Sequence, residues 1–178
     1  MSYIKTKLST EDKDILKKIY NELEKINIPT TYASLGTKGQ YHATKTGARD
    51  QKEGRQTIFG LTCYRGKKGD SRYTKKFPSI MPLFKEFINS HNPNFQFTSV
   101  YVNRNVVCKK HLDSKNVDKS LLVGLGKYTG GQTTLFIDNK PKKFHIKSQS
   151  LIFNGSEIPH QSEEFKGTRY SLVFFKMV

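Results

Sequence analysis

His111 and Asp113 stand two positions apart in a stretch of strand-like composition. In an extended strand such residues project from the same face, so they offer an imidazole and a carboxylate to one ion. A third ligand must arrive from elsewhere. His160, 47 positions after Asp113 and behind the turn-rich Asn154-Gly155-Ser156, can return on a neighbouring strand and close a triangular face. Two histidines and one carboxylate with open positions opposite suit a ferrous centre of the oxygenase type. Nine residues later comes Arg169, within Gly167-Thr168-Arg169-Tyr170-Ser171, and Ser171 falls on its strand face. A fixed guanidinium beside a hydroxyl suits a carboxylate cosubstrate. Taken singly these residues say little, since His111 after Lys110 also reads as a surface histidine and His160 after Pro159 as a loop residue. Their order and spacing together carry the reading.

Those groups need a scaffold, and 178 residues without a low-complexity break predict one domain spanning 1–178, with about 70% of the unfolded surface buried in a single core. No apolar run reaches the length of a membrane span, and Met1-Ser2-Tyr3-Ile4-Lys5 lacks the apolar stretch of a signal peptide. The expectation is a soluble intracellular protein with no membrane partner, and a monomer. Cys63 and Cys108 are too few for a disulfide framework or a structural zinc site and read as buried thiols.

Charge is the second strong signal. Thirty-one Lys and Arg against fifteen Asp and Glu leave +16, which attracts polyanions, nucleic acid first among them. From Lys38 to Lys76 eleven basic residues face only Asp50, Glu53 and Asp70, an excess of +8. Tyr41, Phe59, Tyr64 and Tyr73 are interspersed there, the pattern of a surface that neutralises phosphates and stacks bases; a merely solvated basic face is the plainer reading. Lys140, Lys142, Lys143 and Lys147 suit the edge of a hairpin.

The elements follow from periodicity. Ser9-Thr10-Glu11-Asp12 opens a helix whose apolar positions are Ile15, Ile19, Leu23 and Ile26, ending before Pro29. Residues 30–75 read as loops and hairpins, with a strand at Gln56–Tyr64 and a turn at Gly66-Lys67-Lys68-Gly69. A second helix carries Ile80, Met81, Phe84, Phe87 and Ile88 and stops near Asn92-Pro93. From Phe95 to Val107 the period becomes two, with Val100, Val102 and Val106 on one face and Tyr101, Asn103 and Asn105 on the other. Further strands are expected at 121–125, 133–137, 143–146, 150–153 and 169–176. Short strands, glycine turns and no βαβ rhythm indicate a mainly β member of the α+β class, an antiparallel double-sheet roll. Gly130-Gly131 reads as a bend between sheets where a side chain would obstruct the backbone.

The segments Phe97–Asn103, His111-Leu112-Asp113-Ser114-Lys115-Asn116, Gly124–Gly131, Pro159-His160 and Gly167–Phe175 resemble 2-oxoglutarate and Fe(II)-dependent dioxygenases, and more narrowly the TET and J-binding-protein group of DNA base hydroxylases. The likeness covers roughly residues 55–178. It implies a double-stranded β-helix (a cupin-like jelly roll) with the N-terminal helices on the major sheet. It also implies iron held by His111, Asp113 and His160, and the far carboxylate of 2-oxoglutarate held by Arg169 with Ser171, with Asn103 at the keto-acid end. Alternatively, Asn103 and Asn105 orient the metal ligands or touch substrate; Asn116 caps a turn or touches substrate; Arg55 is a further candidate substrate contact. The implied reaction uses O2 and a ferryl oxidant, with ascorbate as reductant in vitro, to hydroxylate the methyl group of 5-methylcytosine or thymine, releasing succinate and CO2. The partner is then DNA with the target base flipped out of the stack, and the location nuclear or nucleoid-associated; otherwise it is cytoplasmic.

The chain departs from relatives in ways that keep other readings open. It lacks the cysteine-rich extension of animal TET proteins. AlkB-like demethylases carry a second arginine where Phe175 stands, and prolyl-hydroxylase-like enzymes use lysine where Arg169 stands. The rival readings are an oxygenase acting on a protein side chain, RNA or an alkylated base, and a basic nucleic-acid-binding module without catalysis.

Overall fold

The computed structural model describes residues 2–28, 54–113 and 118–177. Pro29 to Glu53, which hold Tyr41 and four of the eleven basic residues of Lys38–Lys76 (Lys38, Lys45, Arg49 and Lys52), and Asn116 lie outside the described residues. The elements in chain order are β1 (Tyr3–Lys7), α1 (Thr10–Leu23), β2 (Arg55–Tyr64), β3 (Lys67–Asp70), α2 (Arg72–Lys76), α3 (Ile80–His91), β4 (Ser99–Arg104), β5 (Ser120–Gly130), β6 (Thr133–Ile137), β7 (Lys140–Phe144), β8 (Gln149–Phe153), β9 (His160–Ser162) and β10 (Phe165–Phe175).

Strands β1-β8-β5-β10-β4-β2-β3 form a seven-stranded sheet, and β7-β6-β9 form a three-stranded one. The described pairings are antiparallel, the longest joining β5 and β10 from Phe165↔Gly130 to Phe174↔Leu121. Alternation along these strands sends side chains to two different cores. Val100, Val102, Val123, Leu125, Tyr170, Leu172 and Phe174 meet α1 and α3, where Phe174 lies against Phe84 and Phe87 with ring centroids 5.7 and 5.8 Å away. Removing such a ring costs about 3–5 kcal/mol. Leu122, Leu151 and Phe153 turn the other way and pack with Leu135, Phe144, Ile146 and Ile158, joining the large sheet to the small one.

Both main helices start and bury as their sequences predict. The Ser9 hydroxyl accepts from the Asp12 N–H at 3.0 Å while the Asp12 carboxylate accepts from the Ser9 N–H at 2.9 Å, a reciprocal cap for α1. Ile15, Ile19 and Leu23 are buried on its core face. Ile80, Phe84, Phe87 and Ile88 are buried on α3.

Several expectations need correction. The strand expected from Phe95 to Val107 spans only Ser99–Arg104, because Asn105 adopts a left-handed φ of 55° and ends it. Asn105 therefore does not continue the row of Tyr101 and Asn103. The hairpin turn falls at Arg65-Gly66 rather than at 66–69, with φ of 50° and 76°, and Lys67 already belongs to β3. Strand β1 has no alternating pattern to betray it; it is an edge strand held by its ladder to β8, from Tyr3↔Phe153 to Lys7↔Gln149. Strand β7 starts three residues before its expected place, and its exposed Lys140, Lys142 and Lys143 blunt a sheet edge as anticipated. Cys63 is exposed, contrary to the expectation of a buried thiol. No described helix is long and apolar enough to cross a membrane.

Candidate metal centre

The segment before and through His111-Leu112-Asp113 runs antiparallel to the chain around β9. His111 and His160 exchange both backbone hydrogen bonds at 3.0 Å, and the Asp113 N–H donates to the Gly155 carbonyl at 2.8 Å. Upstream, the Ser162 N–H donates to the Cys108 carbonyl at 3.0 Å, and the Cys108 N–H to the Ser162 hydroxyl at 2.6 Å. Two residues two apart and a third from a distant segment are thereby brought together, as their spacing predicts.

Each imidazole is oriented by a main-chain carbonyl two residues before it. Nδ1 of His111 lies 2.7 Å from the Lys109 oxygen, and Nδ1 of His160 lies 2.8 Å from the Ile158 oxygen. A carbonyl only accepts, so Nδ1 carries the proton in both rings and Nε2 faces Asp113. The two distances to the carboxylate are 3.4 Å, from His111 Nε2 to Oδ1, and 3.2 Å, from His160 Nε2 to Oδ2. Two imidazole lone pairs and a carboxylate repel one another unless a positive charge sits among them. Adjacent ligands each about 2.1 Å from an octahedral ion stand about 3.0 Å apart, close to the separations observed. Among the described residues this is the one group of at least three His, Cys, Asp or Glu whose ligand atoms lie within 4.8 Å of one another. The residues fit Fe(II).

Electrostatics agree with that fit. Burial would raise the Asp113 pKa, yet the carboxyl is held below the ordinary range beside the His111 and His160 rings, as expected where positive charge sits among the three groups. Gly155 makes the close approach possible: a Cβ there would lie 2.6 Å from Asp113 Oδ2 and 3.2 Å from His160 Cε1. The edge of the Phe153 ring closes one side of His160, with centroids 5.1 Å apart.

Arg169 is buried on β10, 2% exposed, and its Nε donates to the Gly131 carbonyl at 3.1 Å. Tyr128 stands beside the guanidinium at 5.7 Å. Burial lowers the Arg169 pKa from its ordinary value, opposed by Tyr128 and Cys108; burial likewise raises the Tyr128 phenol, opposed by Arg169. The Gly130-Gly131 turn is needed as expected, between the last strand residue of β5 and the small sheet: a Cβ on Gly131 would meet Arg169 Cδ and Nε at 2.8 Å. Ser171, Asn103 and Gln56 form a polar row across three adjacent strands. Gln56 Nε2 donates to Asn103 Oδ1 at 2.6 Å, and Asn103 Nδ2 donates to the Ser171 hydroxyl at 3.2 Å.

Two candidate substrate contacts prove to have other partners. The Asn105 side-chain oxygen accepts from the Arg169 N–H at 2.8 Å, and its own N–H donates to the Arg169 carbonyl at 2.7 Å, so it positions the arginine's backbone. Arg55 donates to the Ile28 carbonyl at 2.7 Å. Strand alternation places it on the face opposite Gln56, and it ties the start of β2 to the chain beyond α1. Gln56, Tyr128 and Cys108 are brought beside these residues by strand pairing rather than by any local pattern, and Gly155 reads from sequence only as part of a turn. Leu112, between the two ligands, is half exposed.

No protein-family model and no curated protein sequence matches the chain. Solved structures do share its fold. A full-length Neurospora crassa protein in complex with alpha-KG has a TM-score of 0.59 at 11% identity, over 98% of this chain and 75% of that one. NgTET1 in complex with 5mC DNA gives 0.54 at 16%, over 84% and 69%. A Pseudomonas putida prolyl-4-hydroxylase gives 0.50 at 14%, over 99% and 93%. This chain thus has the fold found in 2-oxoglutarate/Fe(II) oxygenases, and its own geometry brings two histidines and an aspartate together, with a buried arginine on β10.

Proposed function

We propose that this chain is an Fe(II)- and 2-oxoglutarate-dependent dioxygenase that hydroxylates the methyl group of a DNA base, 5-methylcytosine or thymine. The single observation that carries the enzymatic part is the convergence of His111, Asp113 and His160, with both Nδ1 atoms committed to carbonyls and both Nε2 atoms turned to one carboxylate. On this reading the domain spans 1–178 and closes as a double-stranded β-helix, supported by the two sheets packed through Leu122, Leu135 and Phe153.

His111, Asp113 and His160 would hold the iron, leaving one side of it to cosubstrate and O2. When bound, Fe(II) and 2-oxoglutarate supply the oxidation: one oxygen atom of O2 enters the substrate C–H bond, the other enters succinate, and CO2 leaves. Arg169 pairs with the distal carboxylate of the cosubstrate, where its burial strengthens the ion pair, and the Ser171 hydroxyl completes that contact. Gly131 leaves room for the guanidinium, and Asn105 fixes the strand that presents it. The Gln56–Asn103–Ser171 row keeps the Ser171 hydroxyl oriented toward the same face. Lys109 and Ile158 hold the imidazole tautomers through their carbonyls.

The DNA part rests on the +16 charge and on the resemblance to base hydroxylases, and with it goes a location at nuclear or nucleoid DNA. NgTET1 was captured with 5mC DNA and the Neurospora crassa protein with alpha-KG and 5-formyluracil; a prolyl-4-hydroxylase shares the fold as well, which makes a protein side chain the second reading. Incubation with methylated or unmodified DNA, Fe(II), 2-oxoglutarate and ascorbate should yield hydroxymethylated nucleosides by mass spectrometry. Succinate produced with peptide but with no modified base would transfer the substrate to the second reading.

A further inference from the structure

Strand β2 pairs with β4 as far as Gly60↔Ser99, and Leu61 still bonds the Thr98 carbonyl and the Ser99 hydroxyl; from Thr62 to Tyr64 its strand partner is β3. The β2–β3 hairpin therefore projects beyond the sheet. Its two-residue turn, Arg65-Gly66, has both residues at positive φ, the tight geometry whose twist matches the flanking strands, so the tip is stiff. Tyr64 is 62% exposed there, with the Arg65 guanidinium 5.3 Å from its ring centroid. All four residues of β3 are exposed. Between Leu61 and Lys76 six basic residues, Arg65, Lys67, Lys68, Arg72, Lys75 and Lys76, face one acid, Asp70.

The hairpin leaves the sheet at a particular end. Gly60 pairs with Ser99 and Ser99 with Phe175, while Ser120, at the same end of β5, pairs with Phe153, which packs on His160. The finger thus extends from the end of the sheet that faces the metal centre, four strand positions away from β8, or about 19 Å. Along a duplex axis that offset corresponds to about five to six base-pair rises.

We propose that the β2–β3 hairpin grips a nucleic-acid strand beside the reacting base, with Tyr64 stacking on an unpaired base and Arg65, Lys67 and Lys68 on the flanking phosphates. This rests on the nucleic-acid reading of the site. An anionic membrane would also meet the charge, but insertion needs several apolar side chains on one face, and this tip offers one aromatic ring beside Gly66 and Gly69. A ring surrounded by cations fits a strand whose bases are exposed, and stacking there offsets part of the cost of unpairing the target.

The test is fluorescence anisotropy with the full chain, using a single-stranded oligonucleotide and a duplex with one mismatched pair, across a salt series. Tyr64→Ala should weaken both complexes about tenfold with an unchanged salt slope, and Tyr64→Phe should restore them. Lys67→Ala/Lys68→Ala should flatten the slope of log K against log salt by about 1.5. Wild-type affinity in Tyr64→Ala, or equal binding to phosphatidylserine vesicles, overturns the proposal. Base hydroxylation that persists with an unchanged KM in Tyr64→Ala removes the finger and leaves the catalytic reading standing. Tight Tyr64-dependent binding without any base product keeps the finger and removes the base-hydroxylase reading.

Discussion

Histidine meets aspartate on both faces of the large sheet, with opposite outcomes. On the helix face, His91 Nδ1 lies 2.8 Å from Asp12 Oδ2 and Nε2 lies 2.6 Å from the Ser150 hydroxyl, while the Ser90 hydroxyl donates to the other Asp12 oxygen at 2.7 Å. The His91 and Asp12 side chains are 1% and 3% exposed, and both imidazole nitrogens are engaged within the protein. On the opposite face the His111, His160 and Asp113 side chains are 22%, 11% and 41% exposed. There the Nδ1 of each ring meets a main-chain carbonyl, and the Nε2 points at a carboxylate shared by both. The first arrangement is closed and joins α1, α3 and β8. The second is complete only with a cation, and it opens to solvent. What separates a structural histidine from a ligand is where its second nitrogen points.

Substitutions should split along that line. The largest expected effect is on the open cluster: Asp113→Ala should lower metal affinity and turnover by roughly 10³-fold or more, because ligand set and charge are lost together. Its metal-free stability should change by less than about 1 kcal/mol, since the loss also removes the repulsion between the carboxylate and two imidazole lone pairs. Urea unfolding and metal titration of one preparation measure both. Asp12→Ala should reverse the pattern, costing about 3 kcal/mol through the lost cap and the unpaired buried His91, with iron affinity unchanged. Comparable loss of metal affinity in both variants would erase the distinction.

Gly155→Ala should act between these extremes. Its Cβ would press on Asp113 Oδ2, so metal affinity should fall by about 10- to 100-fold while the fold remains. The smallest effect concerns acid. For Asp12, burial raises the pKa, but hydrogen bonds from Ser90 and the Ser9 N–H and the proximity of His91 outweigh it, so the folded value is depressed. A depressed carboxyl contributes stability above its unfolded pKa, about 3.9, that is lost as pH falls through the folded value. The urea midpoint should therefore decline below about pH 4 in the wild type and less steeply in Asp12→Asn.

The same contrast explains what was legible in the sequence. The convergence of His111, Asp113 and His160 could be read because residue type and spacing carry it, and Arg169 and Ser171 could be read as neighbours on one strand face. Gln56, opposite Asn103, and Cys108 and Tyr128, near Arg169, come beside them only through pairing between distant segments, which no local pattern encodes. Both long helices were legible from capping and apolar period. Strand β1 was not, because an edge strand takes its order from its neighbour's hydrogen bonds. The turn at Arg65-Gly66 was displaced by the competing Gly69, and Asn105 broke a valine alternation that reads as continuous. The Asp12–His91–Ser150 cluster went unread for the same reason as Gln56: its three parts come from three elements.

The most direct test is anaerobic titration of the chain with Fe(II), read as bound metal per chain. The wild type should take up one equivalent, and His111→Ala and Asp113→Ala should take up none while keeping native far-ultraviolet circular dichroism. A folded Asp113→Ala variant that binds iron as the wild type does, or a wild type that binds none, would contradict the account.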